Sequence, residues 1–449
     1  MLEIKVIDKP LCPLCDLLAS IDAGDLDPIF EALGSAGGAS VQRERVKALC
    51  TTFASMYGVD RKVGLFTVAG RSELSGNHTD HNNGCVIAAS ISLDVLAVAS
   101  PRNDGIISLS SEGFDEDVID IASYTEPDES KFGTSASLIA GVAQGFVNNG
   151  YAIGGFDACT VSNVFKGSGL SSSAAFEDMI GIILSHLYNK GSVDEVAFSK
   201  ISQYAENQFF GKPCGLMDQV ACAVGGIVAI DFADPQAPVI EALPFDMTAA
   251  GYHLCIVNTG GNHADLTDDY AAVPAEMKAV AVHFGKTVLR EVSETEVIAA
   301  IPTLRETVGD RAILRSLHFL SENRRVAAQK AALENAVAAD DVASRDVAVD
   351  KFFEEVLASG RSSYCYLQNV YTTKNVTEQG LSLALCLCEQ VLGGKRAAYR
   401  VHGGGFAGTI QAFVPEALVE TFTTTMDGVF GQGSTNDLKI RPVGAARIF

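Results

Sequence analysis

The chain of 449 residues is 47% hydrophobic and 20% charged, enough apolar material for two cores and more length than one ordinary domain needs. Its 33 basic against 55 acidic residues leave a formal charge of −22, the wrong sign for gripping a nucleic-acid backbone, so nucleic acid is excluded as an expected partner. No stretch has the apolar run that a membrane span requires, and the opening MLEIKVIDKPLC lacks the basic and apolar regions of a secretory leader; no membrane partner and a cytoplasmic location are the expectations.

Near the start, Cys12 and Cys15 have the spacing of a zinc or redox pair, but no second pair follows at zinc-ribbon spacing. The eleven cysteines are an odd number scattered through apolar segments such as LALCLCEQVL, the pattern of small buried hydrophobes in a reducing compartment. GLFTVAG, residues 64–70, and CVIAASISLDVLAVAS from Cys85 predict strands. In FKGSGLSSSAAFED, Phe165 to Asp178, a glycine turn carries three serines. Phe176, Met179, Ile180, Ile183 and Leu187 follow at helical spacing, so the serines stand where a loop enters an amphipathic helix. DFADPQAPVIEALP, residues 231–244, concentrates turn residues and prolines. The predicted division is an extension at 1–43, a first domain at 44–235 and a second at 236–449. From about Thr303 to Leu357 alanine and charge predict surface helices, and AAYRVHGGGFAGTIQAFVP predicts strand, glycine turn, strand. The fold class is α+β, without repeats.

The serine turn is the first place to look for chemistry. Gly167 and Gly169 let a backbone approach a ligand closely, and the first turn of a helix offers unpaired N–H groups and positive partial charge, which together hold phosphate. Serine hydroxyls add hydrogen bonds or bind a hard cation such as magnesium. An ordinary serine cap on a core helix reads equally well from these residues alone. FGKT at Phe284–Thr287 looks like the end of a P-loop, but the upstream glycine it needs would fall at Val280, and the match fails.

Four motifs, in order along residues 61–449, decide between these readings by resemblance. GRSELSGNHTDHNNG, residues 70–84, resembles the galactokinase signature, and GSGLSSSAA resembles the nucleotide loop of the same superfamily. AENQFFGKPCGLMDQVACAVGG resembles the segment carrying its catalytic aspartate, and VHGGGFAGTIQAFV its third glycine motif. The ending RPVGAARIF is similar to the family's last strand. The chain is thereby identified as resembling the galactokinases of the GHMP small-molecule kinase superfamily. That resemblance implies two α+β domains, ribosomal S5-like and ferredoxin-like, with the active site in the cleft between them. It also implies phosphoryl transfer from ATP to the anomeric hydroxyl of galactose.

Carried over position by position, the resemblance makes Asp218 the catalytic aspartate and Arg71 its partner. A carboxylate near the attacking hydroxyl can take its proton or orient it, and both roles stay open. Gly167, Gly169, Leu170, Ser171, Ser172 and Ser173 would hold ATP; Ser172, Ser173 and Glu206 would hold Mg2+. Glu177 and Asp178 are rival carboxylates whose alternative role is to complement the helix dipole in the first turn. Asn77, His78, Asp80, Gly215 and Tyr270 would bind the sugar, because polar groups fixed on a loop can read hydroxyl configuration. His81 and His402 take no assigned role.

The chain departs from the family pattern at several places. Asn77 replaces a glutamate that contacts the hydroxymethyl end of galactose, which leaves galactose or a sugar altered at that carbon open as substrate. Phe165 replaces a proline, Ala407 a glycine, and Lys166 can reach ATP or lie in solvent. Residues 362–379 do not follow the family's Ser-Cys-Pro-Glu pattern, and no tryptophan is present to stack on adenine. The expected function is a galactokinase; the alternatives are a 1-kinase for galacturonate, arabinose or an amino sugar, and a non-catalytic binder of ATP and galactose. Known regulators of the last kind lose the serine-alanine pair, which Ser173 and Ala174 keep here.

Overall fold

The computed structural model describes residues 10–34, 37–164, 169–212, 214–261 and 266–449. The first unit opens with β1 (Cys12–Pro13) and helices α1 (Leu14–Ala23), α2 (Asp27–Ala32) and α3 (Gly38–Tyr57). The long strands β2 (Lys62–Ser75) and β3 (Cys85–Pro101) follow, with β4 (Ile106–Ser111), β5 (Asp117–Asp120), α4 (Ser135–Asn148) and β6 (Phe156–Ser162). Then come α5 (Ser172–Asn189), α6 (Glu195–Tyr204), a π-turn at Ala205–Phe209, α7 (Met217–Val224), β7 (Ile227–Asp231) and β8 (Val239–Leu243).

Among the described residues nine strands join in one sheet. Its main order is β1-β2-β3-β6-β4-β5, and β7 and β8 extend from β3. The strand predicted at 64–70 extends to Lys62–Ser75, and the run predicted from Cys85 forms β3 nearly as read; both faces of the sheet centre are covered. Successive residues alternate between two helical layers: Val63, Leu65, Leu96 and Val98 pack with Leu14, Leu17, Phe30 and Phe53, whereas Phe66, Val68, Val95 and Ala97 pack with Ile180 and Ile183. Each fully buried leucine or phenylalanine contributes about 1.5–3 kcal/mol. The segment before residue 43 is therefore part of this unit, with Cys12 paired to Val63 in register.

The second unit contains β9 (Tyr252–Asn258), α8 (Thr267–His283), α9 (Glu294–Thr307), α10 (Asp310–Ala338), α11 (Val342–Ser362) and α12 (Gly380–Leu392). It ends with β10 (Ala398–Val401), β11 (Thr409–Pro415), α13 (Val419–Phe430) and β12 (Thr435–Leu438), and a final strand β13 (Ala446–Arg447). Its four-stranded sheet has the order β10-β11-β9-β12.

Two features differ from the sequence expectation. The division at 235 cuts a hairpin, since β8 pairs with β7 and β13 returns to pair with β2, so residues 239–243 and 446–447 belong to the first sheet. Helices α10 and α11 lie at the surface on one face only, with Arg324, Val347, Lys351 and Glu354 exposed, and bury the other. Phe319, Val326, Leu333, Phe352, Phe353 and Val356 are buried, and α10 also buries Arg315, His318 and Glu322. Alanine lets these helices approach their neighbours closely, so a composition that reads as solvated is a packing surface.

Candidate active site

A cleft of about 640 Å³ lies between the units, walled by β2, the loop after it and α7 on one side and by the turn between β10 and β11 on the other. Arg71, on β2, and Asp218, in the first turn of α7, meet there. Nε of Arg71 donates to Oδ1 at 2.8 Å and Nη2 donates to Oδ2 at 2.7 Å, a two-pronged pair. The arginine side chain is 8% exposed and the aspartate 31%, so the carboxylate faces the cleft and the cation backs it. Burial pushes the Asp218 carboxyl up, but the Arg71 charge and the Ser171 hydroxyl outweigh it and hold it below the usual range, ionised at neutral pH.

The serine turn meets the same carboxylate. Ser171 Oγ donates to Asp218 Oδ2 at 2.5 Å, and Arg71 also donates to the Gly169 carbonyl. Ser171 precedes α5 but does not cap it with its side chain, leaving the first N–H groups of an 18-residue helix without that partner. Gly169 takes a positive φ of 72°, and Ser171 and His78 do so without being glycine, at 59° and 60°. Strain of this kind gathers at working sites. Gly167, with Phe165 and Lys166, lies outside the described residues. Leu170 turns its side chain into the core and bonds Arg71 only through its carbonyl.

Ser173 Oγ stands 3.3 Å from Glu206 Oε1, and Lys212 Nζ lies 2.8 Å from the same oxygen. Gln219 Nε2 bridges Glu206 Oε2 at 3.0 Å and Glu177 Oε2 at 3.2 Å. The helix starts at Ser172, so Glu177 and Asp178 lie beyond its first turn, and both are fully buried. The dipole role expected for them is therefore corrected. Burial pushes both carboxyls well above the ordinary range, which favours their neutral forms.

On the sugar side, His78 Nε2 donates to the Gly404 carbonyl at 2.9 Å, and burial takes its imidazole down to about 4. It is neutral at physiological pH, with Nδ1 left as acceptor. Asp80 lines the cleft beside Gly215, where a Cβ would come within 2.2 Å of Asp80 Oδ2, so the position has room for no other residue without displacing that carboxylate. Tyr270 OH donates to the Gly405 carbonyl at 2.9 Å. Asn77 does not reach the cleft. It is fully buried, its Nδ2 donates to Glu73 Oε1 and Gly403 O, and its Oδ1 accepts from Asn369 and Ser363. The substrate contact expected of it is corrected: both ends of the amide are already occupied by protein.

With this geometry in view, the galactokinase galactose-binding signature matches residues 51–101 and the GHMP kinases N terminal domain matches residues 137–226. A Streptomyces coelicolor galactokinase is 30% identical over 384 residues, spanning 84% of this chain and 91% of the relative. The chain belongs to the galactokinase family. An Actinobacillus pleuropneumoniae galactokinase is 30% identical across 82% of this chain and 89% of its own. Among solved structures, Lactococcus lactis galactokinase complexed with galactose superposes with a TM-score of 0.74 at 24% identity, covering 90% of this chain and all of that one. Methanococcus jannaschii mevalonate kinase superposes at 0.56 with 12% identity, covering 84% and 98%, which reports the shared fold alone.

Within this galactokinase-family cleft stand four side chains that the sequence reading did not assign: Glu73, Lys212, His402 and, behind them, Arg400. His402 is buried between Ser72 Oγ at 3.1 Å and Thr409 Oγ1 at 2.9 Å. The period-two pattern of a strand could have found Glu73, since it shares the face of Arg71.

Proposed function

We propose that the chain catalyses ATP-dependent phosphorylation of the anomeric hydroxyl of galactose, in the cytoplasm and with Mg2+. The observation that carries this reading is the Arg71–Asp218 pair, which joins the uncapped start of α5 to the sugar side of the cleft. ATP would lay its phosphates against Ser171, Ser172 and Ser173 at the positive end of the helix, with Lys212 beside them.

Asp218 is ionised and accepts from Arg71 and Ser171, so its basicity is low. A weak base suits an orienting role: it holds the sugar hydroxyl in line and receives the proton late, after the bond between the transferring phosphoryl group and ADP has loosened. Arg71 keeps that charge in place and offsets negative charge developing nearby.

Ser173 and Glu206 present oxygen donors, with Ser172 next in the turn; Lys212 and Gln219 now hold the two Glu206 oxygens, and once Lys212 turns to the phosphates these donors would suit magnesium, which completes its shell with water and phosphate. Bound there, the ion would neutralise charge on the phosphate oxygens. His78, Asp80, Gly215 and Tyr270 would orient the hexose. Purified chain mixed with ATP, Mg2+ and galactose should release ADP and yield a sugar phosphate whose phosphorus NMR signal couples to the anomeric proton; no ADP release above the sugar-free rate would refute the reading.

A further inference from the structure

Glu73 sits two residues after Arg71 on β2, in regular register with Ala88 of β3, and both side chains line the cleft. Two strand residues advance about 7 Å, close to the span of a pyranose ring measured from its anomeric oxygen to its far end. A hexose whose reacting hydroxyl meets Asp218 therefore extends its opposite end toward Glu73.

The Glu73 carboxylate is held from behind. Its Oε1 accepts from the Arg400 guanidinium and from Asn77 Nδ2 at 3.2 Å. Arg400 is fully buried and is fixed further by the Glu73 carbonyl and Ser359 Oγ, each at 3.3 Å. The other oxygen, Oε2, takes no hydrogen bond from the described residues and is not sealed from solvent, on a residue that lines the cleft. One oxygen is thus immobilised and one is offered; burial raises the Glu73 carboxyl, the Arg400 and Arg71 charges and the Asn77 amide oppose that rise, and in its ionised form the carboxylate only accepts.

We propose that Glu73 determines sugar specificity in this cleft: Oε2 accepts a hydrogen bond from the hydroxymethyl group of a neutral hexose, and Asn77 is the positioning residue that keeps it aimed. This rests on the sugar-kinase reading above. A hexuronic acid brings a second acceptor to Oε2. A hexose lacking the hydroxymethyl oxygen, or a pentose, leaves Oε2 facing no donor. Both cases cost binding, because a site built to bond a hydroxyl penalises a substrate that lacks it. The carboxylate missing at position 77 is in this way supplied from position 73.

The experiment measures kcat/KM by ADP release for galactose, galacturonate, arabinose and galactose lacking its hydroxymethyl oxygen, with the native chain and with Glu73→Gln. The native chain should favour galactose by about 100-fold or more over each of the others. In Glu73→Gln the amide oxygen stays with Arg400 and the amide nitrogen turns to the cleft, a donor in place of an acceptor. The galacturonate-to-galactose ratio should then rise by about tenfold or more, carried mainly by KM. Thermal unfolding of the variant controls for folding; if it is unstable, the native-chain series decides alone. Native kcat/KM for galacturonate or the deoxy analogue within about tenfold of that for galactose overturns the proposal and leaves the kinase reading standing, as does an unchanged ratio in a folded variant. A native chain that phosphorylates none of these sugars overturns both.

Discussion

Arg71 grips both oxygens of Asp218, at 2.8 and 2.7 Å, and of the two the aspartate is the more exposed. The pair links a long central strand to the start of α7, and Ser171 ties the nucleotide turn to the same carboxylate. Geometry at this point governs charge at the reacting centre.

Replacing Asp218 by asparagine keeps the shape and removes the charge. The expected result is a fall in kcat of about 10²–10⁴ with ATP-analogue affinity nearly unchanged, since the carboxylate acts on the hydroxyl rather than on the nucleotide. Steady-state ADP release and calorimetric titration separate the two effects. A variant that keeps more than about a tenth of the native kcat would remove Asp218 from this role.

Ser173 and Glu206 come together at the start of α5. Ser173→Ala should raise the magnesium concentration needed for half-maximal rate by about tenfold, while the galactose KM measured at saturating magnesium stays near its native value. An unaltered magnesium curve would assign the metal to other oxygens.

How far such a site is legible from sequence depends on what each residue type can do alone. Asp218 and Arg71 could be placed by the resemblance of the contiguous motifs that carry them, whereas the serine turn stands out by its own glycines and the helix that follows. The core strands were found by their apolar runs, but the length of β2 was not, because polar residues such as Ser72, Glu73 and Ser75 are buried where two units meet. Asn77 was misread for the same reason. Its partners Gly403, Ser363 and Asn369 lie more than 280 residues away, and a hydrogen-bond network assembled across such separations leaves no local signature. Likewise the alanine-rich stretch of α10 hides buried His318 and Glu322, which only tertiary packing brings behind the sugar loop.

Glu322 gives the fold a pH dependence. Burial alone would raise its carboxyl, but His318, Arg325, Arg400 and the Ser359 hydroxyl outweigh burial and take it down to about 2; because burial also lowers the His318 imidazole, the two arginines and the hydroxyl hold the carboxylate near neutrality. A folded value below the unfolded one, about 4.3, means that the ionised group stabilises the fold above that pH, and the contribution disappears as pH falls from about 4 toward 2. Two units correspond to about 3 kcal/mol. Urea unfolding should show Glu322→Gln less stable than the native chain near neutrality, with the gap closing in acid; a gap independent of pH would contradict the assignment.

The Glu73–Asn77 contact makes the last prediction. Asn77→Glu removes the donors now given to Glu73 Oε1 at 3.2 Å and to the Gly403 carbonyl at 2.6 Å, and sets two carboxylates and a carbonyl against each other in a buried place. The variant should lose about 3 kcal/mol and unfold at lower temperature than the native chain. Adding Glu73→Asn restores one carboxylate and one amide to the pair. Because the two side chains act as one unit, the double variant should be more stable than the sum of the single changes by about 1–3 kcal/mol, and thermal or urea unfolding of all four chains measures that coupling. Strict additivity would mean that Asn77 is held by Gly403, Ser363 and Asn369 alone, with Glu73 free of it.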